Sequence, residues 1–311
     1  MIFFSTCVTI EDEAIERSGA SRRTDRMQIN EKAYAKINLF LDVVGKAPDG
    51  YHEIVSVMHS VSLCDEVSLS VERASYSCIT LSVRGEEVPN DERNLAYIAA
   101  EAFLEKTGIA ATVDITLEKQ IPTKAGLGGG SSDAAAVLRA LNLALGSPLT
   151  TAELCELGAE IGADVPFCIV GGTRLCRGRG EKMSAYPMDD LTLVIVPPLS
   201  EGVETPRAYR MLDEAFDDFK NESRALHEAL FDFFVEDPVD GMYNVFESVV
   251  LPNAPAVDEA RTALLGAGAA GAMMTGSGSA VFGIFQSKEE AESAAKELPG
   301  AIVARSIGSL L

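Results

Sequence analysis

The stretch Ile121-Pro122-Thr123-Lys124-Ala125-Gly126-Leu127-Gly128-Gly129-Gly130-Ser131-Ser132-Asp133-Ala134-Ala135-Ala136 limits the possible fold more than any other part of the chain. Ahead of it, apolar Val113, Ile115 and Leu117 alternate with Asp114, Thr116 and Glu118, the period of a half-buried strand. Behind it, Ala134, Leu138, Leu141 and Leu145 recur at helical spacing. The pattern predicts strand, glycine loop, helix. Gly126, Gly128, Gly129 and Gly130 admit backbone angles closed to other residues and let the main chain approach a ligand. Ser131 and Ser132 fall where a helix has unpaired N–H groups and the positive end of its dipole, a place suited to a polyphosphate. Taken alone, the loop reads equally as a tight turn with an ordinary helix cap. It has no Gly-Lys-Ser/Thr ending, so it is not a Walker A loop, and it matches the dinucleotide pattern poorly.

A length of 311 residues suggests two domains, and 47% hydrophobic with 23% charged residues suits a soluble globular protein. The net charge of −21 disfavours nucleic acid and anionic membranes as partners, so an anionic substrate has to be met by local cations and N–H groups. The acidity concentrates partly between Asp213 and Asp240, read here as a solvated helical face. Six cysteines (Cys7, Cys64, Cys78, Cys155, Cys168, Cys176) lack Cys-x-x-Cys spacing and there are three histidines, a composition expected of reduced thiols in a cytoplasm. Residues 1–26 open on an apolar run, Met1 to Ile10, followed by Glu11, Asp12 and Glu13, without the basic start and cleavage site of a signal peptide. They read as an N-terminal extension, a candidate for disorder, with Met27 a candidate start. No stretch is long and apolar enough to span a bilayer.

From Ala33 to Val44 the residues alternate, with Ala35, Ile37, Leu39, Leu41 and Val43 on one face and Tyr34, Lys36, Asn38, Phe40 and Asp42 on the other. Lys36 and Asn38 therefore project together, although a lone strand lysine is usually solvated. Pro48-Asp49-Gly50 predicts a turn into a strand over Ile54 to Leu63, with further strands at Val67/Leu69/Val71 and Ile79/Leu81/Val83. Asn90 or Asp91 is expected to cap a helix carrying Leu95, Ile98, Ala102 and Phe103 that closes near Gly108. Thr150-x-x-Glu153 is a capping box opening a helix that Gly162 ends, and Asp164 follows as a cap or turn carboxylate in an apolar setting. From about Pro187 a second domain is expected. Its strands lie at 191–196, around Met273, at 280–285 and at 302–306, with a helix opened by Thr205-Pro206 and others at 256–265 and after Ser287. That order suits a ferredoxin-like split βαβ layout.

Six blocks, Ala35 to Leu41, Asp49-Gly50-Tyr51-His52-Glu53, Pro122 to Ala135, Gly162 to Phe167, Arg179-Gly180-Glu181 and Thr275-Gly276-Ser277-Gly278-Ser279, together resemble the 4-diphosphocytidyl-2-C-methyl-D-erythritol kinase family of the GHMP kinase superfamily. The glycine loop is shared across the superfamily; the Asp-Gly-Tyr-His segment is specific to this family. The resemblance runs from Met27 to the C-terminus. It implies a two-domain α+β GHMP kinase fold, with a mixed α/β ATP-binding domain over 27–186 and a ferredoxin-like split βαβ domain over 187–311. It implies transfer of a phosphoryl group from ATP, with Mg2+, to the tertiary 2-hydroxyl of a cytidine diphosphate-linked methylerythritol, on the non-mevalonate route to isoprenoid precursors. The departures are the N-terminal extension and an acidic region longer than the family needs.

The same resemblance assigns roles. Asp164 matches the family's catalytic carboxylate, expected to accept the hydroxyl proton, and Lys36 its partner lysine; Asn38 is expected to bind substrate hydroxyls. Pro122, Gly126, Leu127, Gly128, Gly129, Gly130, Ser131 and Ser132 are expected at the ATP phosphates, with Asn94 and Lys119 on the adenosine side. Tyr51 is expected to stack on cytosine and His52 to read its edge, with Thr205 and Tyr209 contributed by the second domain, although an amphipathic helix would bury Tyr209 in any case. Gly276 and Ser277 are expected at the substrate diphosphate, or in a plain hairpin turn. No nucleic acid or membrane partner is expected, and the protein is expected to be a monomer or homodimer. Two other functions fit the loop alone, a kinase for another small alcohol such as homoserine or mevalonate, and a non-catalytic ATP-binding sensor. Tyr51-His52 speaks against the first, and the presence of both Lys36 and Asp164 against the second.

Overall fold

The computed structural model describes residues 26–198, 203–215, 230–232 and 234–311. The extension, apart from Arg26, and the acidic stretch 216–229 lie outside the described residues. The alternating run at the start becomes β1 (Met27–Lys46), which is longer than the alternation predicts and antiparallel to β2 (His52–Arg73). The turn between them closes through Gly50 N–H donating to Ala47 O at 2.9 Å, with Gly50 at φ 88°. β2 is one strand where two were expected, because Leu63, Asp65, Val67 and Leu69 continue a single face across the polar residues between them.

β3 (Cys78–Arg84) runs parallel to β4 (Ala111–Glu118), and β4 pairs with the far half of β2 over Glu66 to Arg73. The near half of β2, Ile54 to His59, pairs instead with β5 (Thr173–Gly178), which turns into β6 (Lys182–Ala185). The two faces of β1 are not one wet and one dry as the alternation suggests. Lys36, Asn38, Phe40 and Asp42 are buried along with their apolar neighbours, because the glycine loop and residues from the second half of the chain cover that face.

α1 (Leu95–Thr107) is closed by Gly108 at φ 66°, as expected, but its N-cap is Asn94 and not Asn90 or Asp91. Asp91 is engaged by the backbone N–H and the guanidinium of Arg93, which leaves the cap to the next amide, whose Oδ1 accepts from Ala96 N–H at 2.9 Å. α2 (Gly129–Ala144) packs Ala134, Val137, Leu138 and Leu141 into the sheet core. α3 (Thr151–Ile161) begins with the reciprocal Thr150–Glu153 capping box and ends at Gly162, and α4 (Val165–Val170) follows Asp164 directly.

The second sheet has the order β11-β7-β10-β9, formed by β7 (Thr192–Val196), β9 (Gly271–Met274), β10 (Val281–Phe285) and β11 (Ile302–Arg305). All neighbours are antiparallel, and strands one to four of this half lie in the order 4-1-3-2, the split βαβ arrangement predicted. Three segments of this half return to the first. β8 (Tyr243–Asn244) adds to the edge of β1 in parallel, Ile307 N–H donates to Ser60 O at 2.9 Å, and Leu310 N–H donates to Val170 O at 2.8 Å. The described part of the acidic region is not purely a solvated face: Phe234 is fully buried and its ring lies 5.5 Å from that of Phe40.

Candidate active site

A cleft of about 1320 Å3 lies between the glycine loop, the β1–β2 hairpin and the loop after β9. Its floor follows from backbone bonding. Lys36 N–H donates to Leu127 O at 3.0 Å, and Ala280 N–H donates to Ala125 O at 3.1 Å, so both halves of the chain hold the loop in place. Gly126 and Gly128 take φ of 77° and 73°, which favours glycine, and a Cβ on Gly126 would stand 2.2 Å from Thr275 O. Gly129 opens α2 with an ordinary φ; a Cβ there would meet Ile121 and come within 3.5 Å of Lys119 Nζ. The first bond within α2 runs from Ser132 N–H to Gly128 O at 2.9 Å, so the N–H groups of residues 129 to 131 precede the helical ladder and suit an anion. Pro122, Leu127, Gly130 and Ser131 line the cleft as well. Ser132 differs from its expected place: its hydroxyl donates to Tyr34 O at 2.6 Å and is buried against Cys168, which anchors α2 to β1 and turns the side chain away from the cleft.

At the centre of the cleft Lys36 Nζ lies 3.5 Å from Asp164 Oδ2 and donates to Asn38 Oδ1 at 2.8 Å. Lys36 is 4% exposed, so the solvated-lysine reading of the strand fails. Asn38 is fixed in turn, its Nδ2 donating to Ser56 Oγ at 2.8 Å and its backbone N–H to Thr275 Oγ1 at 3.0 Å. Asp164 is placed by the sharp exit from α3, where Val165 N–H donates to Gly162 O at 3.1 Å, and its carboxylate makes no cap bond to α4. A half-exposed carboxylate, a buried ammonium and an anchored amide thus converge beside the loop, an arrangement able to take a proton from a hydroxyl and to stabilise a transferring phosphoryl group.

Lys119 is on the cleft wall, but its ammonium is held between two buried carboxylates, paired with Asp65 and 2.6 Å from Asp133 Oδ2. Asp65 also accepts from Ile121 N–H at 2.8 Å, which clamps the entry to the glycine loop. Burial pushes the Asp133 carboxyl up to about 7, against the pull of Lys119 and with help from Asp65, and its Oδ1 is buried without a hydrogen-bond partner. Asn94 also reaches the cleft, with its amide committed to Pro89 O and to the α1 cap.

The other end of the cleft is aromatic. Tyr51 is exposed, with Arg179 Cζ 3.8 Å from its ring centroid and the Arg179 guanidinium paired with Asp49. His52 stacks on Tyr209 from α5 (Thr205–Ala215), with centroids 4.6 Å apart at 28°, and its Nε2 lies 2.7 Å from Asp213 Oδ1. Tyr209 is not merely a buried helix residue, since it meets both His52 and, edge on, Phe246. Thr205 and Ser277 share a hydroxyl–hydroxyl bond of 2.8 Å at the mouth, and Asn244 Nδ2 donates to Gly276 O at 2.8 Å, which shapes the turn at Gly276. Every expected site residue except Ser132 lines this one cleft. Asp65 and Asn244 escaped the sequence reading. A carboxylate on the core face of an apolar strand, as at Asp65 among Leu63, Val67 and Leu69, is the signal that marks the first; nothing local marks the second.

Residues 94–172 match the family model described as the GHMP kinases N terminal domain, and 204–304 match the GHMP kinases C terminal model. A 4-diphosphocytidyl-2-C-methyl-D-erythritol kinase of Caldicellulosiruptor saccharolyticus is 42% identical over 86% of this chain and 91% of its own length. The enzyme of the same name from Bacillus pumilus is 44% identical over 84% and 89%. The crystal structure of a 4-(cytidine 5'-diphospho)-2C-methyl-D-erythritol kinase superposes with a TM-score of 0.73 at 34% identity, over 90% of this chain and all of that one. A homoserine kinase from Cytophaga hutchinsonii shares the fold, with a TM-score of 0.70 at 22% identity over 94% of this chain and 98% of that one.

Proposed function

Because the chain belongs to the 4-diphosphocytidyl-2-C-methyl-D-erythritol kinase family of the GHMP kinases, we propose that it phosphorylates the 2-hydroxyl of 4-diphosphocytidyl-2-C-methyl-D-erythritol with ATP, in the non-mevalonate route to isoprenoid precursors. The observation that carries the reading is the position of the Lys36–Asp164 pair, midway between an anion-binding loop and an aromatic slot in one cleft.

In this reading the β- and γ-phosphates rest on the N–H groups at the start of α2, and the substrate hydroxyl lies against Asp164. As the oxygen attacks the γ-phosphorus, its proton passes to the Asp164 carboxylate and the bond to ADP breaks. Lys36, kept in place by Asn38, stabilises the charge gathering on the phosphoryl oxygens. Lys119 acts less as a free adenosine-side contact than as a post held by Asp65 and Asp133 under the loop. Residues 27–186 then serve as the nucleotide half and 187–311 as the half that walls the substrate end.

Magnesium accompanies the nucleotide. Among the described residues no three His, Cys, Asp or Glu side chains cluster as a metal cage, and a cation that commonly keeps phosphate and water oxygens would need few from the chain. The orphaned Asp133 Oδ1 beside the loop fits it in donor chemistry. A cytoplasmic setting is supported by the thiols of Cys64, Cys78, Cys155, Cys168 and Cys176, the buried Cys168 and Cys176 having pKa values pushed up to about 12 by desolvation.

Base selection tests the substrate. The cytidine-linked methylerythritol is expected to be phosphorylated and its uridine-linked analogue far less well, because uracil reverses donor and acceptor at two edge positions. Each buried group left unpaired costs about 1–3 kcal/mol, so a ratio of specificity constants on the order of tenfold to several hundredfold is expected in competition kinetics. His52→Ala should erode the ratio, and Tyr51→Ala should weaken both substrates alike. Equal specificity constants for the wild type would remove the base-reading role and leave a kinase of another small alcohol.

A further inference from the structure

Asp213 lies in the last turn of α5, followed by Glu214 and Ala215, and by sequence alone it belongs to the acidic run. In the structure it bridges the two halves of the chain. One oxygen lies 2.7 Å from His52 Nε2 and the other 3.0 Å from Lys46 Nζ, both groups belonging to the β1–β2 hairpin. Burial pushes the Asp213 carboxyl up, but the bonds from His52 and Lys46 outweigh it and hold the group below its usual range, so it is an anion that can only accept.

An anionic oxygen at hydrogen-bond distance from a ring nitrogen requires that nitrogen to carry the proton. In a neutral imidazole the other nitrogen is then an acceptor. The stack on Tyr209 fixes the ring plane, so the acceptor edge cannot swing away without breaking two contacts. Cytosine presents an amino donor at the position where uracil presents a carbonyl acceptor. We propose that Asp213 is a positioning residue for base recognition: by accepting the Nε2 proton of His52 it sets Nδ1 as an acceptor, the form that suits the amino edge of cytosine and repels uracil. This rests on the cytidine-linked substrate proposed above. It assigns selectivity to a carboxylate of the second half of the chain acting through a histidine of the first.

The alternative is that Asp213 merely ties the hairpin to α5, and Lys46 separates the two. In Asp213→Ala the cytidine-to-uridine ratio of specificity constants should fall by about tenfold or more. In Lys46→Ala, which removes the other arm of the same tie, it should stay within about twofold of wild type. Unchanged ATP affinity in Asp213→Ala, measured by calorimetry, would show that the fold survives. Nitrogen-15 shifts of the His52 ring above neutral pH should report a protonated Nε2 in wild type and in Lys46→Ala, and a mixture of tautomers in Asp213→Ala. An unchanged ratio in Asp213→Ala, an equal loss in both variants, or a wild-type ring protonated at Nδ1 overturns the proposal. If the wild type itself fails to prefer cytidine, it is the substrate reading that falls, while the ring shifts still decide whether Asp213 sets the proton.

Discussion

Lys36 shows how a buried charge can be made useful. Its ammonium is matched by the carboxylate of Asp164 and the amide oxygen of Asn38, and its own backbone N–H secures the loop through Leu127. Asp164→Asn is therefore expected to leave ATP and substrate affinity within about tenfold while lowering turnover at least roughly a hundredfold, the usual loss when a general base is removed. Turnover near wild type in a steady-state assay would take Asp164 out of the mechanism. The glycines differ among themselves in what they require. Gly126→Ala places a methyl against Thr275 O at a positive φ and is expected to lose more than about 1 kcal/mol in stability, along with ATP affinity, in denaturant titration and calorimetry. Gly129, by contrast, is held by space and not by backbone angle, so a larger residue there presses on Ile121 and the Lys119 post.

At the level of elements, β2 carries more than its length suggests, serving β4 with one half and β5 with the other. His59 sits on its β5-facing half, with Nδ1 2.8 Å from Thr173 Oγ1 and Nε2 2.8 Å from Ser306 Oγ. Burial lowers its pKa from 6.5 to about 4, with Asp190 opposing. A depressed histidine keeps its full contribution above the unfolded value of 6.5 and loses it as pH falls from there through about 4. By about pH 5 the loss should approach roughly 2 kcal/mol, and His59→Gln should flatten that part of the urea-midpoint profile. Elements whose signals are local could be read from the sequence, as with the Thr150 capping box, the Gly108 stop and the strand–loop–helix around Gly126. What could not be read depends on partners distant in the chain. Asp91 loses the cap of α1 to Arg93, β2 joins two predicted strands, and Asp213 leaves an acidic face to meet His52. The Lys36–Asp164 pair was legible because each residue sits in its own motif, whereas the Asp65–Lys119–Asp133 post is assembled from three elements.

Across the whole molecule, the second half of the chain does not hang from the first by one connection. β8 extends the edge of β1, Ser306 reaches His59, and the final residues bond to Ser60 and Val170. Two bodies joined at one point can swing about a hinge; bodies stitched at several separated points have no shared axis left to turn on. The cleft between them is therefore expected to keep its width through the catalytic cycle, with nucleotide and acceptor entering a slot already at its working size. Such an enzyme discriminates by what fits a fixed gauge, which places the burden of accuracy on a few side chains along the slot and not on a closing movement.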